Sequence, residues 1–152
     1  MSSLASTSAE EAKAVVRRAI QNEWNVIPWA SQPWALDYIP PIYWPGMKGD
    51  PGVERHHAIV QFTPLKGRSV GFTEGVDRLR AGGVATLIYR YPLGMGDYVG
   101  DRVGQRIVDA LMRKALILRP GTHTTGSDGE VRAMWQHRVT FEFNHDRFTQ
   151  TA

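Results

Sequence analysis

A chain of 152 residues, 42% hydrophobic and 22% charged, has the makeup of one domain large enough to bury a core without staples. It contains no cysteine, which excludes disulfides, thiol catalysis and cysteine-ligated zinc. No apolar run approaches the roughly 18 residues that a membrane span needs. Met1 to Ser6 lacks the basic start and apolar stretch of a secretion signal. The net charge of +3 is spread over small groups such as Arg17-Arg18, Arg78 with Arg80, and Arg113-Lys114. It predicts a solvated surface rather than a dedicated nucleic-acid face.

Residues 1–7 are small and polar and are expected to be mobile. Ser8 with Glu11 fits a capping box, with Thr7 and Glu10 as the alternative register. Ala12, Val15, Val16, Ala19, Ile20 and Trp24 follow at helical spacing, which predicts an amphipathic helix over 9–24. From 25 to 55 six prolines alternate with Trp29, Trp34, Tyr38, Tyr43 and Trp44. The prolines forbid long helices and central strands, and the rings are too many for a disordered linker. This segment reads as an ordered loop pinned to the body, or used in a subunit contact.

The period then changes to two. His57, Ile59 and Gln61 alternate with Ala58, Val60 and Phe62, and Pro64 is expected to end that strand. A short partner strand over 67–73, joined through Leu65-Lys66, and a longer strand from about Arg78 to Tyr91 come next. After the second helix stands a short apolar stretch, Leu116 to Leu118. Gly121 to Gly129 is read as a polar turn or flexible arm. Arg132 to Phe143 alternates again, with Met134, Gln136 and Arg138 on a wet face and Trp135, His137, Val139 and Phe141 on a core-like one. The sum predicts an α+β domain over 8–145: a largely antiparallel sheet with two main helices on one side, followed by a polar tail over 146–152.

Between the long strand and the second helix stands Gly94-Met95-Gly96, with Gly100 beyond. A glycine-rich turn after a strand and before a helix is how many dinucleotide sites begin. Here Asp97 sits where a pyrophosphate needs bare amides, and no acidic residue follows a second strand some twenty positions on. The predicted role is therefore a corner: Pro92 stops the strand, the glycines turn the chain and Asp97 caps the helix. Val99, Val103, Ile107 and Leu111 form that helix's buried stripe. Gly100 and Gly104 inside it imply a close approach by the sheet or by a neighbouring subunit.

Other chemistry is sparse. His56 and His57 are adjacent in a strand and point to opposite faces, so they cannot share a metal. Glu54, His123, His137, His145 and Asp146 form no recognisable ligand spacing, and no Gly-x-Ser-x-Gly elbow is present. No catalytic residue, cofactor or metal is expected.

The order of elements resembles the tail terminator proteins of long-tailed phages and gene transfer agents. The resemblance rests on "HHAIVQFTP", "GRSVGF", a strand ending in Tyr-x-Tyr-Pro-x-Gly-x-Gly at Tyr89 to Gly96, the helix "DYVGDRVGQRIVDAL", and a closing strand "WQHRVTFEF" from Trp135. It spans most of residues 8–144, through short motifs, and the segment 25–55 is longer than the family usually carries. The resemblance implies a virion structural protein without catalytic residues, assembled as a hexameric ring on the head-proximal end of the tail tube. Its implied partners are the major tail tube protein, the neck, connector or stopper protein and the tape measure protein, with DNA passing through the ring unread. Trp29, Trp34, Tyr43 and Trp44, with His123 and Asp128 in the polar segment, are the candidate subunit-interface residues. Three alternatives stay open: another neck or tail completion protein, a nucleotide-using enzyme at the glycine corner, and a basic DNA-contacting module.

Overall fold

The first helix starts where the capping chemistry places it. In the computed structural model, which describes residues 8–47, 55–73, 76–113 and 119–150, the Ser8 hydroxyl accepts the Glu11 amide at 3.1 Å. Helix α1 runs Ala9–Val26, and Pro28 lies just beyond its end. Ala12, Val16, Ala19, Ile20 and Trp24 are buried along its inner stripe. The loop that follows returns the chain to β1 (Ile42–Tyr43). Four longer strands complete the sheet: β2 (His57–Thr73), β3 (Val76–Pro92), β4 (Arg119–Val131) and β5 (Met134–Gln150). Helix α2 (Tyr98–Met112) joins β3 to β4.

The strand order is β1-β2-β3-β5-β4, antiparallel throughout except for the parallel β1–β2 pair. Register makes the two faces explicit. Ala58 pairs with Tyr89 and Tyr89 with His137, while Val60, Leu87 and Val139 form the next helix-facing row. These side chains and those of α1 and α2 form one buried cluster. The opposite face carries the rows His57–Arg90–Gln136, Ile59–Ile88–Arg138 and Gln61–Thr86–Thr140. The architecture is thus α+β, with both helices on one side of a mostly antiparallel sheet.

Several boundaries differ from the sequence reading. Pro64 does not end its strand: it pairs with Gly83, and β2 continues to Thr73 through register shifts at Leu65/Arg68 and Ser69/Gly71. A proline is tolerated there because, among the described residues, no strand pairs with β2 on its outer side beyond Ile59, so the missing N–H breaks no ladder. The chain from Gly121 to Gly129 is neither a turn nor a free arm but most of β4, bonded to β5. Its threonines suit a pleated strand, and the glycines misled the reading. Residues 146–150, set apart as a tail, continue β5 opposite Val76 to Arg80 of β3. Met134 and Gln136, assigned to a wet face, are buried. Residues 1–7, 48–54 and 114–118 lie outside the described residues.

The real turn is Arg132-Ala133, with φ of 52° and 65° between the paired residues Val131 and Met134. This is the two-residue hairpin geometry that normally selects Asn-Gly, held here by two residues with Cβ atoms. Each such residue carries about 1 kcal/mol or more of steric penalty. Ala133→Gly is therefore expected to raise stability by about 1 kcal/mol in urea denaturation. An unchanged or lower midpoint would show that the turn does not hold this conformation.

Candidate functional site

The glycine corner was the strongest sequence signal for chemistry, and its geometry is now explicit. Gly94 and Gly96 have φ of +94° and +93°, the left-handed region that side chains rarely adopt. Asp97 holds the N-cap position, but its side chain accepts no amide, contrary to expectation. The capping group is instead the Tyr91 hydroxyl from the end of β3. It donates to the Gly96 carbonyl at 2.9 Å and accepts the Gly100 amide at 3.3 Å. A hydroxyl of the protein's own strand thus takes one of the helix N-terminal amides that a phosphate would use. Burial raises the pKa of that hydroxyl to about 12, so it remains a neutral phenol near pH 7.

The close approach anticipated from Gly100 and Gly104 is to the sheet. A Cβ on Gly100 would lie 2.6 Å from the His137 Cβ, and one on Gly104 would lie 2.8 Å from His137 Nε2 and overlap Thr125 Oγ1. His137 is fully buried in the groove these glycines create. Its Nε2 lies 2.6 Å from Thr125 Oγ1, and its Nδ1 lies 3.6 Å from the exposed Asp101 carboxylate without a hydrogen bond. Hydroxyl, imidazole and carboxylate in that order suggest a nucleophile relay. Here, however, the hydroxyl is wedged against the Gly104 backbone, where its role is to satisfy a buried ring nitrogen.

Aromatic residues of the loop divide into two groups. Trp29 stacks obliquely on Trp24 at 4.8 Å and edge-on against Trp34 at 5.4 Å, and all three are buried. Trp24 Nε1 donates to the Pro40 carbonyl at 2.7 Å, which ties the loop back to α1. Trp29 and Trp34 therefore pack inside the subunit and are not placed to meet a neighbour, because each ring's large apolar area is already spent on the core. Tyr43 and Trp44 remain half-buried at the β1 edge. Tyr43 lies against the His57 ring at 6.1 Å, and Trp44 sits under the Arg17 guanidinium at 5.2 Å. They border a cleft of about 470 Å³ along β2, with Met47, Ile59, Gln61 and Phe62 as further walls.

His123 and Asp128 lie across the sheet, on edge strand β4. His123 is exposed, with its ring stacked over Phe141 at 6.4 Å. The Asp128 carboxylate accepts Gln136 Nε2 at 2.6 Å and Arg138 Nε at 3.0 Å. Partial burial pushes its pKa upward, but these two donors outweigh that effect and hold it below the usual value. Arg90 Nε donates to Gln136 Oε1 at 2.9 Å, which extends the network across three strands. Sequence reading missed this network because its members come together only through strand register. The interface candidates thus fall at the two opposite sheet edges, apart from the two buried tryptophans.

His56 and His57 do point to opposite faces. His56 Nδ1 lies 2.7 Å from the Tyr89 hydroxyl on the core side, whereas His57 faces Tyr43.

No protein-family model and no curated protein matches the chain. One solved structure shares 20% identity over 88% of this chain and 94% of its own, with a TM-score of 0.44. A likeness that distant carries no functional argument.

Two outcomes follow from these contacts. Gly104→Ala, which in an open helix would stabilise by about 1 kcal/mol, is expected here to destabilise by about 2–3 kcal/mol through overpacking. Thermal unfolding reads the sign, and a stabilised variant would refute the close approach.

The second outcome concerns acid. His56, His57 and His137 all have pKa values lowered from 6.5, chiefly by burial, and that of His56 is about 4. The unfolded chain therefore binds more protons than the folded one below pH 6.5, so stability is complete above that pH and falls as pH drops toward 4. His56 alone accounts for a loss on the order of 3 kcal/mol by pH 4. A urea midpoint that stayed level between pH 7.5 and 4.5 would contradict this.

Proposed function

We propose that this chain is a virion structural subunit, a tail terminator that closes as a six-membered ring on the head-proximal end of a tail tube. In this reading the ring stops tube polymerisation and joins the tail to a neck, connector or stopper protein. The protein acts by covering and joining surfaces, without cofactor or catalysis.

The observation that supports this reading best is the presence of two long and dissimilar sheet edges. Among the described residues, β4 carries no strand on its outer side, and β2 carries none beyond the two residues of β1. One edge offers an apolar cleft walled by Tyr43, Trp44 and Met47, and the other offers His123 and the Asp128 network. Unlike patches on opposite sides of a subunit suit head-to-tail contacts, which close into a ring when the rotation per step divides a full turn. Long unpaired edges are also a liability that proteins normally cover. The order of elements and the Tyr89 to Gly96 corner, which resemble the terminator family, support the same reading.

The alternative of a nucleotide enzyme is disfavoured by the Tyr91 hydroxyl beneath the α2 N-terminus.

Light scattering and negative-stain imaging test the proposal. An annulus with six-fold symmetry and a mass of about 102 kDa, six times the 17.0 kDa chain, is expected either free or in the presence of tail tubes. A protein that stayed at 17.0 kDa and left tube ends undecorated would overturn it.

A further inference from the structure

Beside β1 the sheet has an open slot. The Ala58 amide donates to the Pro41 carbonyl at 2.9 Å, so the backbone groups of Ala58 face the β1 side. Backbone groups alternate along a strand, and those of Val60 and Phe62 turn to the same outer side. Strand β1 ends at Tyr43, opposite Ile59. There the turn Trp44-Pro45-Gly46-Met47 carries the chain off the edge, closed by the Met47 amide on the Trp44 carbonyl at 3.0 Å, with Gly46 at φ 84°. Among the described residues no strand pairs with Phe62 on that side, and Pro64 ends the run of donors.

The walls of the slot carry charge as well as rings. Lys13, Arg17 and Gln21 form one stripe of α1 at four-residue steps. Lys13 Nζ lies over the Phe62 ring at 5.9 Å, the Arg17 guanidinium lies over Trp44 at 5.2 Å, and Gln21 Oε1 accepts Trp44 Nε1 at 3.3 Å. Trp44 is the shared wall of two clefts, one of about 470 Å³ along β2 and one of about 350 Å³ along α1, where Arg18 joins Arg17. Among the described residues no acid lines either cleft. A ring face attracts a cation without cancelling its charge, so Lys13, Arg17 and Arg18, all exposed, keep theirs. The acids of α1 are Glu10 and Glu11 in its first turn, and Glu23, which is bonded to Arg106 of α2 at 2.9 Å.

From this juxtaposition we infer that the slot takes an extended acidic segment of another protein, which adds as a strand to the outer edge of β2. Main-chain hydrogen bonds at Phe62 and packing on Trp44 and Met47 supply the hold. Side chains of an added strand alternate in direction, so every second one points to the α1 side, where the three cations stand. The intervening ones lie over Ile59 and Gln61, a place for aliphatic residues. β2 walls the cleft from Ile59 to Thr63, roughly 16 Å, which accommodates about five residues of such a segment. Edge strand β4 of a second copy lacks this pattern: residues 123–127 include no acid, and Asp128 is held by Arg138 at 3.0 Å. The inference rests on reading this edge as a contact surface, within which the segment belongs to a neighbouring virion protein, but not on ring closure. Ring closure is read as mass and strand capture as peptide binding, so either can fail alone.

Fluorescence anisotropy with the full-length protein and a labelled octapeptide of alternating glutamate and valine tests it. Saturable binding is expected at low salt, weakening at high salt as exposed charges are screened. Lys13→Gln with Arg17→Gln is expected to weaken binding roughly ten-fold, and an octapeptide of alternating lysine and valine to bind at least about ten-fold more weakly. Arg17→Gln with Arg18→Gln supplies a second pair if circular dichroism shows the first to be misfolded. Arg102→Gln with Arg113→Gln, on α2, is expected to leave binding within about two-fold. Peptides N-methylated on every glutamate or on every valine are expected to differ about ten-fold, because only one set of amides faces β2. The inference is overturned by no binding at low salt, by equal binding of the lysine peptide, by equal loss in the α2 variant, or by equal loss in both methylated peptides. Equal affinity for a DNA duplex of the same charge would overturn it by showing a site for any polyanion. Loss of a higher-mass species in Lys13→Gln with Arg17→Gln, without peptide binding, would place a second copy in the slot instead.

Discussion

The rest of the structure depends on how near α2 comes to β5. Gly100 and Gly104 present bare backbone to the sheet, and the His137 ring fills the space that two Cβ atoms would have taken. That contact sets the height of the helix over the sheet, and Val99, Val103, Ile107 and Leu111 are buried at that height. A buried imidazole is a costly way to fill the gap unless both nitrogens are neutral and at least one is bonded. Thr125, on β4, supplies that bond. Helix, central strand and edge strand are thereby locked at one point.

The same economy governs the corner before α2. A single tyrosine hydroxyl closes the turn, caps the helix and packs its ring beside Tyr89 at 4.9 Å. The aromatic loop is fastened onto this group through Trp29 and Trp24, both in contact with Tyr89. One side of the sheet is consequently saturated: helices, loop rings and corner all converge there. The other side mixes Ile59, Ile88 and Met134 with a polar network whose hydrogen bonds run from Arg90 through Gln136 and Asp128 to Arg138. Among the described residues most of the buried apolar area lies on the helix side, and the outer edges of β4 and of β2 beyond Ile59 carry no strand.

Much of this was legible in the residues. The capping serine, the apolar stripes of both helices, and the alternation in β2, β3 and β5 are local patterns set by backbone periodicity. The close packing at Gly100 and Gly104 was also readable, since two helix-interior glycines need a reason. Errors arose where local signals were weak or misleading. "GTHTTGSDG" has the composition of a turn, yet pairing with β5 makes it a strand. Arg132-Ala133 has no turn signature at all, yet the hairpin closes there. Trp29 and Trp34 look available for a neighbour on paper, because exposure cannot be read from a proline-rich loop. Asp97 has the right residue type for a cap and is displaced by a tyrosine six residues upstream.

By itself, then, the sequence determined the two helices with their apolar stripes and the central parts of β2, β3 and β5, because those depend on spacing along a few residues. Tertiary structure alone decided what fills the groove under α2, which hydroxyl caps the helix, and which polar side chains bond across the strands. Each of these depends on residues brought together from distant parts of the chain: Tyr91 with Gly100, Thr125 with His137, Arg90 with Gln136. Strand order and register create such neighbours, and neither can be read from the local pattern of any one strand.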